Sequence, residues 1–593
     1  MCGILGFSWN DPSLLKKLTR LLKHRGPDAE GFYTDDIVSL GHRRLSILDL
    51  SKNGQQPMPN EDSTIWITYN GEIFNFETIR NALIKKGHHF ISKTDTEVLI
   101  HGYEEWGHSL LKRLNGQFAF CIYDKKRKEL FLARDRMGIN PLYYYFDTKK
   151  FIFGSELKVI LKSGVRLTLN TFAKDYYFLF GHCPRRESII ENTYKIEPGY
   201  YLVFDLQKCS IRDYKPYWSP TFSATITSEK DALVSLKRLF EDAVQLRLVA
   251  DVPVGAFLSG GVDSSAVVAY ASKYKKNLNT FSIKFEYDEF DESKYAALVS
   301  KTFSTTHHTI TFTANEICQL LPKLIYHYDE PFADPSMIPT FLVSSVARRN
   351  VTVSLSGDGG DELFGGYHTY SYYHLLTFST YYPKFFNTLF STLFSFFPSN
   401  QYLTTYFSLA SQQKKYAPLM SFLLPSQARR FLSKDPMLYY KTYEAFFHPH
   451  WLHHAIYHDF KNYLPCDILT KVDRASMANS LESRPPLLDH RFVEFACSLH
   501  PSLKIRGYKK GKYIFKKAFE GILPSIILTR KKQGFSVPLR YYLKKELKSY
   551  VDNLYDNTFL KQYGFSKSLL DSNKTNIRLL WALIIFKEWS KVW

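Results

Sequence analysis

The distribution of apolar and polar positions divides the chain into two textures. Up to about residue 210, short apolar or alternating runs are separated by polar turns. "STIWITYNGEIFN" (63–75), "GQFAFCIYDKKRKELFLARD" (116–135) and "PGYYLVFDLQ" (198–207) read as strands. Helical spacing intervenes at "PSLLKKLTRLLKHRG" (12–26) and "NFETIRNALIKKG" (75–87). The expectation is a strand-heavy α+β domain over 1–215. The polar, proline-bearing segment 217–233 reads as a linker, with a helix starting near Ser228.

Beyond the linker, strands alternate with helices. "VPVGAFLSGG" (252–261), "NTFSIKF" (279–285), "HHTITF" (307–312) and "VTVSLSGDGGDE" (351–362) are strand-like. "VDSSAVVAYASKYKK" (262–276) and residues 291–303 are helical between them. This alternation predicts a doubly wound parallel α/β sheet, with added helices after 367, in a second domain over 228–593. No internal repeat and no low-complexity tract is visible.

Composition changes this picture little. A chain of 593 residues with 45% hydrophobic and 23% charged positions is long enough for two or more cores. The net charge of +20 raises the question of nucleic acid. Its lysines and arginines are dispersed, however, and clusters such as "DKKRKE" (124–129), "RGYKKGKY" (506–513) and "TRKKQG" (529–534) read as solvated surface, so no nucleic-acid partner is expected. The seven cysteines include no CxxC pair and indicate neither a zinc site nor a disulfide framework; a reducing, cytoplasmic compartment fits. No signal peptide is visible. The aromatic stretch 375–398 carries Pro383, Lys384 and hydroxyls, and reads as buried helices with no stable membrane insertion.

Two glycine-rich loops carry the first chemistry. "SGGVDSS" (259–265) ends a strand and opens a helix, so its backbone N–H groups can converge on an anion such as phosphate. Asp263 would hold a metal bridging phosphate oxygens. "SLSGDGGDELFGGY" (354–367) supplies Ser356, Gly357, Asp358, Asp361 and Glu362 after another strand. Two such loops at strand C-termini define the ligand crevice of an open α/β sheet.

A second constellation lies near the start of the chain. Cys2 follows the initiator methionine. A free cysteine is commonly a small core residue, but with Met1 removed it would carry both a thiol and the α-amine that can activate it. Asn70 and the N–H of Gly71 could form an oxyanion hole. Arg44 could pair with a substrate carboxylate, and Glu72 and Asp95 with an α-ammonium. Together these describe a site for an amino acid with a side-chain amide.

With "CGI", "RGPD", "RLSI", "NGEIFN", "RDRMGINPLYY" (134–144), "SGGVDSS", "LSGDGGDELFGGY", "KVDRASMANSLESRPPLLD" (471–489) and "KQGFSVPL" (532–539) in this order, the chain resembles the glutamine-dependent asparagine synthetases: a class II glutamine amidotransferase of the N-terminal-nucleophile β-sandwich type, joined to an N-type ATP pyrophosphatase. The resemblance implies amidation of aspartate by ammonia from glutamine through an acyl-adenylate, with ATP and Mg2+ as cofactors and an internal route for ammonia. It assigns Arg44, Leu45, Ser46, Ile47, Leu48, Asn70, Gly71, Glu72 and Asp95 to glutamine. It assigns Leu258, Ser259, Gly260, Gly261, Asp263, Ser264, Ser265, Ile283, Ser356 and Gly357 to ATP, and Asp263 and Asp361 to metal. Asp358 falls where some members carry a glutamate needed for adenylate formation, and Arg474 where some carry a catalytic lysine. Another acceptor carboxylate (of a sugar, a peptide or a secondary-metabolite acid) is the alternative activity, and a binding protein that kept the fold is a further one. A homodimer is compatible with the sequence.

Overall fold

The computed structural model describes residues 1–379, 416–507, 511–531, 533–534 and 537–593. Most of the aromatic stretch 375–398 and three positions of "KQGFSVPL" therefore lie outside the described residues.

The N-terminal part is built on two six-stranded antiparallel sheets. The first places Gly3–Phe7 between Phe151–Gly154 and Ser39–Arg44. The second centres on Ile65–Ile73, Gly116–Asp124 and Glu129–Arg134, and the run 116–135 resolves into a hairpin whose turn is 125–128. Ile4, Leu40, Phe151 and Phe153 of one sheet pack against Ala119, Cys121, Leu132 and Phe204 of the other. Alternation along each strand supplies this shared face, as in a β-sandwich. The helices Phe76–Ile84 and Thr96–Trp106 cover the outer face of the second sheet through Ile79, Leu83, Leu99 and Tyr103.

After residue 216 the Glu229–Arg247 helix begins, capped by the Ser228 side chain accepting from the Asp231 N–H. A five-stranded parallel sheet follows, in the order Thr306–Phe312, Asn279–Phe285, Val254–Phe257, Val353–Leu355, Glu482–Arg484. Strand order runs outward in both directions from Val254–Phe257. The switch point thus falls between that strand and Val353–Leu355, the two strands that lead into the glycine-rich loops. The architecture is the expected antiparallel sandwich followed by a doubly wound parallel sheet. Among the described residues no helix is long and apolar enough to cross a membrane.

The edge strand Glu482–Arg484 lies against the sandwich. The Gln117 side chain donates to the Ser483 carbonyl at 3.1 Å and Asn115 to Asp489 at 3.0 Å. One face of the parallel sheet's last strand therefore reaches the first site described below, while its backbone pairs with the strand leading to the second.

Candidate active site

Cys2 precedes the central strand Gly3–Phe7 and is buried. Its backbone N–H donates to Asn70 Oδ1 at 2.7 Å, and its thiol faces the Leu45 carbonyl at 3.9 Å. Asn70 Nδ2 is buried with no hydrogen-bond partner, and its own carbonyl accepts from Asn140 Nδ2 at 2.7 Å. An unmet buried amide donor beside a thiol is costly unless a ligand completes it. Gly71 sits where a Cβ would come within 2.3 Å of the Gln117 carbonyl, so only glycine allows this strand pairing. Burial pushes the Cys2 thiol up, opposed by the N-terminal ammonium next to it.

The other predicted glutamine residues line this end of the sandwich. The Arg44 guanidinium donates to the Ser51 carbonyl at 2.7 Å, to Leu48 at 3.3 Å and to Asp49, and so shapes the loop 45–51. Within it, the Ser46 N–H donates to Asp28 at 2.8 Å and the Ile47 carbonyl accepts from Asp251 at 3.0 Å. Asp95 accepts from the Tyr69 hydroxyl at 2.6 Å and the Ile73 N–H at 2.8 Å, and burial raises its carboxyl to about 6. Glu72 is also pushed up by burial and by Asp95, and it binds Arg484 at 2.9 Å. Arg484 in turn holds Glu482 at 2.6 Å, and Glu482 pairs with the Met1 ammonium at 2.5 Å. Met1 is buried in that contact.

The second site is the crevice at the switch point. Gly260, with φ +74°, lets 259–265 turn beneath the Val262–Tyr274 helix, where a Cβ would strike Tyr295 and Ala296. Ser259 and Ser264 hydroxyls lie 3.0 Å apart, and Ser265 Oγ is buried without a partner. Leu258 continues the strand, its N–H donating to Phe281 at 2.8 Å, and Ile283 is in the neighbouring strand. The two loops touch: a Cβ on Gly357 would lie 2.7 Å from the Ser264 nitrogen, and one on Gly360 2.4 Å from Asp263 Oδ1. Ser356 receives its position from the Arg484 carbonyl, to which its N–H donates at 3.0 Å. Asp358 is half-buried; loss of hydration raises its carboxyl, while Ser356 and Lys471 lower it.

Asp263 and Asp361 converge on the Lys512 ammonium, which bonds Asp263 and lies 2.7 Å from Asp361. In the sequence Lys512 falls in the basic cluster "RGYKKGKY", which reads as solvated surface; it is buried instead. The missed signal was Gly511 next to it, whose Cβ would meet the Gly365 carbonyl at 2.2 Å. Arg474, expected to replace a lysine here, points elsewhere. It lies buried between Glu156 at 3.0 Å and Asp329 at 3.4 Å, in an ionic network at the junction of the two halves. Its helix, Leu469–Met477, packs along the junction, so position 474 faces the sandwich while Lys471, one turn earlier, faces Asp334 at 2.9 Å.

The two sites share a wall. Met1, Ile139, Leu469 and Asp473 line one pocket that ends on Ser356 and Asp358.

These features combine a buried N-terminal thiol site with a phosphate-type glycine-loop crevice. The chain matches the glutamine amidotransferase domain family over residues 1–218 and the asparagine synthase family over 235–591. It is 32% identical to glutamine-hydrolysing asparagine synthetase 1 of Bacillus subtilis, over 100% of this chain and 97% of that protein. It is also 32% identical to asparagine synthetase 3 of the same organism, over 90% of this chain and 87% of that one. A solved glutamine phosphoribosylpyrophosphate amidotransferase of B. subtilis aligns at TM-score 0.29 and 17% identity, covering 52% of this chain and 65% of that chain. The chain belongs to the glutamine-hydrolysing asparagine synthetase family.

Proposed function

We propose that the chain makes asparagine from aspartate, ATP and glutamine, with Cys2 as the nucleophile once Met1 is removed. The α-amine takes the thiol proton and Sγ bonds the amide carbon of glutamine. Asn70 Oδ1 holds that amine, at the 2.7 Å contact it already makes, while Asn70 Nδ2 and the Gly71 N–H receive the oxyanion. The carbon–nitrogen bond then breaks, the proton passes to the departing nitrogen, and ammonia leaves a γ-glutamyl thioester. Water hydrolyses it, returning glutamate and the thiol. Arg44 takes the substrate carboxylate and Asp95, with Glu72, its ammonium, inside the loop Leu45 to Leu48.

In the crevice, a side-chain carboxylate oxygen of aspartate attacks the α-phosphorus of ATP and the bond to pyrophosphate breaks. Ser259, Gly260, Gly261, Ser264 and Ser265 cradle the phosphates, and Leu258, Ile283, Ser356 and Gly357 flank the nucleotide. Asp263 and Asp361 already converge on one cation, and their oxygen donors suit Mg2+. When bound there, Mg2+ would neutralise charge building on the pyrophosphate. Lys512 supplies fixed positive charge at the same place, the role expected of Arg474. Ammonia then attacks the acyl carbon, AMP departs, and Asp358 accepts the proton that nitrogen loses. Arg474 serves the junction between the halves instead. Seven free thiols fit a reducing cytoplasm, which would also keep Cys2 active.

The shared pocket carries this reading: the residue attached to Cys2 and the carboxylate Asp358 line one wall. Ammonia released at Cys2 thus has a protected way to the acyl carbon, whereas in open water it would be protonated. The test supplies amide-nitrogen-labelled glutamine with aspartate and ATP. Labelled asparagine formed one-for-one with pyrophosphate supports the reading. Pyrophosphate formed with another carboxylic acid but not with aspartate would move the acceptor to that acid.

A further inference from the structure

The outer side of the sandwich holds a second group of metal-binding side chains, apart from both sites. The Thr96–Trp106 helix presents His101 and Glu104 one turn apart on one face. His88 comes from the loop after the Phe76–Ile84 helix, and Glu61 from the turn between the strands Met58–Pro59 and Ile65–Ile73. One donor atom each from Glu61, His88 and His101 lie within 4.8 Å of one another. His101 Nδ1 is 3.1 Å from Glu104 Oε2 and 3.6 Å from Glu61 Oε2, and His88 Nδ1 is 4.0 Å from the same Glu104 oxygen.

These separations bracket a known shape. Four ligands at about 2.0–2.1 Å from zinc in a tetrahedron stand about 3.4 Å from one another. The His88–Glu104 separation of 4.0 Å, and separations of up to 4.8 Å among Glu61, His88 and His101, mean that the exposed Glu61 and half-buried His88 side chains rotate inward to close the site. Glu104 is oriented from behind: its other oxygen accepts from Asn60 Nδ2 at 2.7 Å, the outer hydrogen bond that ligating carboxylates commonly have. The buried His101 ring is fixed by Phe90, edge-on at 4.7 Å, and lies 5.0 Å from the His88 ring.

We propose that Glu61, His88, His101 and Glu104 form a four-ligand zinc site. Imidazole donors favour zinc over magnesium and calcium, which prefer oxygen alone. Four protein ligands leave no open position, so the ion is structural. It ties the turn at 61, the loop at 88 and the helix that follows Asp95. Because the ligands come from three segments, the unfolded chain lacks the site and zinc stabilises the fold by mass action.

The test uses the full-length protein, stripped with a chelator and desalted. Titrated with Co2+, it gives the intense visible bands of four-coordinate cobalt, and Zn2+ bleaches them. His88→Ala loses those bands, binds Zn2+ at least about tenfold more weakly, and loses the rise in Tm that zinc gives the parent chain. Ammonia-dependent synthesis stays unchanged. Should His88→Ala misfold, Glu61→Gln at an exposed ligand gives the same reading. Four-coordinate bands that persist in a folded variant, or only the weak absorption of six-coordinate cobalt in the parent, overturn the proposal.

Discussion

Arg25 and Asp473 are 448 positions apart in sequence and form a two-point ion pair, Arg25 NH1 and NH2 each donating to one Asp473 oxygen at 2.9 and 2.7 Å. The same guanidinium donates through Nε to the Cys2 carbonyl at 3.0 Å. One buried side chain therefore holds the backbone of the thiol residue and the wall of the pocket leading to Asp358. Glu156 accepts from Arg25 at 3.0 Å and is ion-paired with Arg474 at 3.0 Å, so opposite charges at the junction are linked in one network.

Removing one partner of such a pair strands the other. Asp473→Asn is expected to lower stability by about 3–5 kcal/mol and to lower asparagine formed per glutamine hydrolysed, as the Cys2 backbone and the pocket wall lose their common anchor. Denaturant unfolding and the ratio of glutamate to asparagine measure both. An unchanged ratio would show that this pair only adds stability.

Met1 predicts a processing event. Its ammonium is buried on Glu482, and it fills the pocket wall between the sites. Active enzyme should begin at Cys2 by intact-mass measurement, and chains that keep Met1 should lack glutaminase activity. Full glutaminase activity in a preparation that retains Met1 would exclude the α-amine as base.

Asp95 gives a pH signature. Its carboxyl, raised by burial to about 6, is charged above that pH and neutral below it. It can hold an α-ammonium only when charged, so the KM for glutamine should climb as pH falls through about 6, while the KM for aspartate in ammonia-dependent synthesis does not follow. Asp95→Asn should raise the glutamine KM throughout and flatten this dependence. A parallel change in both KM values would place the titration elsewhere.

The metal and phosphate side is tested by Asp263→Asn and Lys512→Gln. Both should abolish pyrophosphate release with either nitrogen source and leave glutamine hydrolysis intact, because they touch only the crevice. The loss should exceed about a hundredfold, the usual size when a charge facing the transition state is removed. Pyrophosphate release near the parent rate in Lys512→Gln would return that role to another cation.

What was readable in the sequence and what was not follow one physical division. Glycine loops and strand alternation are local patterns, and the sheets and the switch-point crevice follow from them, whereas the contact of the Cys2 N–H with Asn70 Oδ1 joins positions 68 apart. Lys512 was hidden because a lysine beside other lysines reads as surface; only the packing of Gly511 on Gly365 shows that its chain turns inward. Arg474 was misdirected because its helix phase against the sandwich is a tertiary fact. Arg484, which spans 412 positions to Glu72, sat in a recognised motif with no visible partner. The zinc ligands lie on a turn, a loop and a helix with no metal-binding spacing among them.

The central claim is that a thiol chemistry in one half feeds a separate adenylation in the other. Cys2→Ala tests it most directly, through asparagine formed from glutamine and from added ammonium salts at two pH values. The account predicts that glutamine-dependent synthesis falls by several orders of magnitude. Ammonium-dependent synthesis should persist and increase with pH as more free ammonia is present. Near-parental use of glutamine by Cys2→Ala, or loss of both activities in a folded protein, would contradict it.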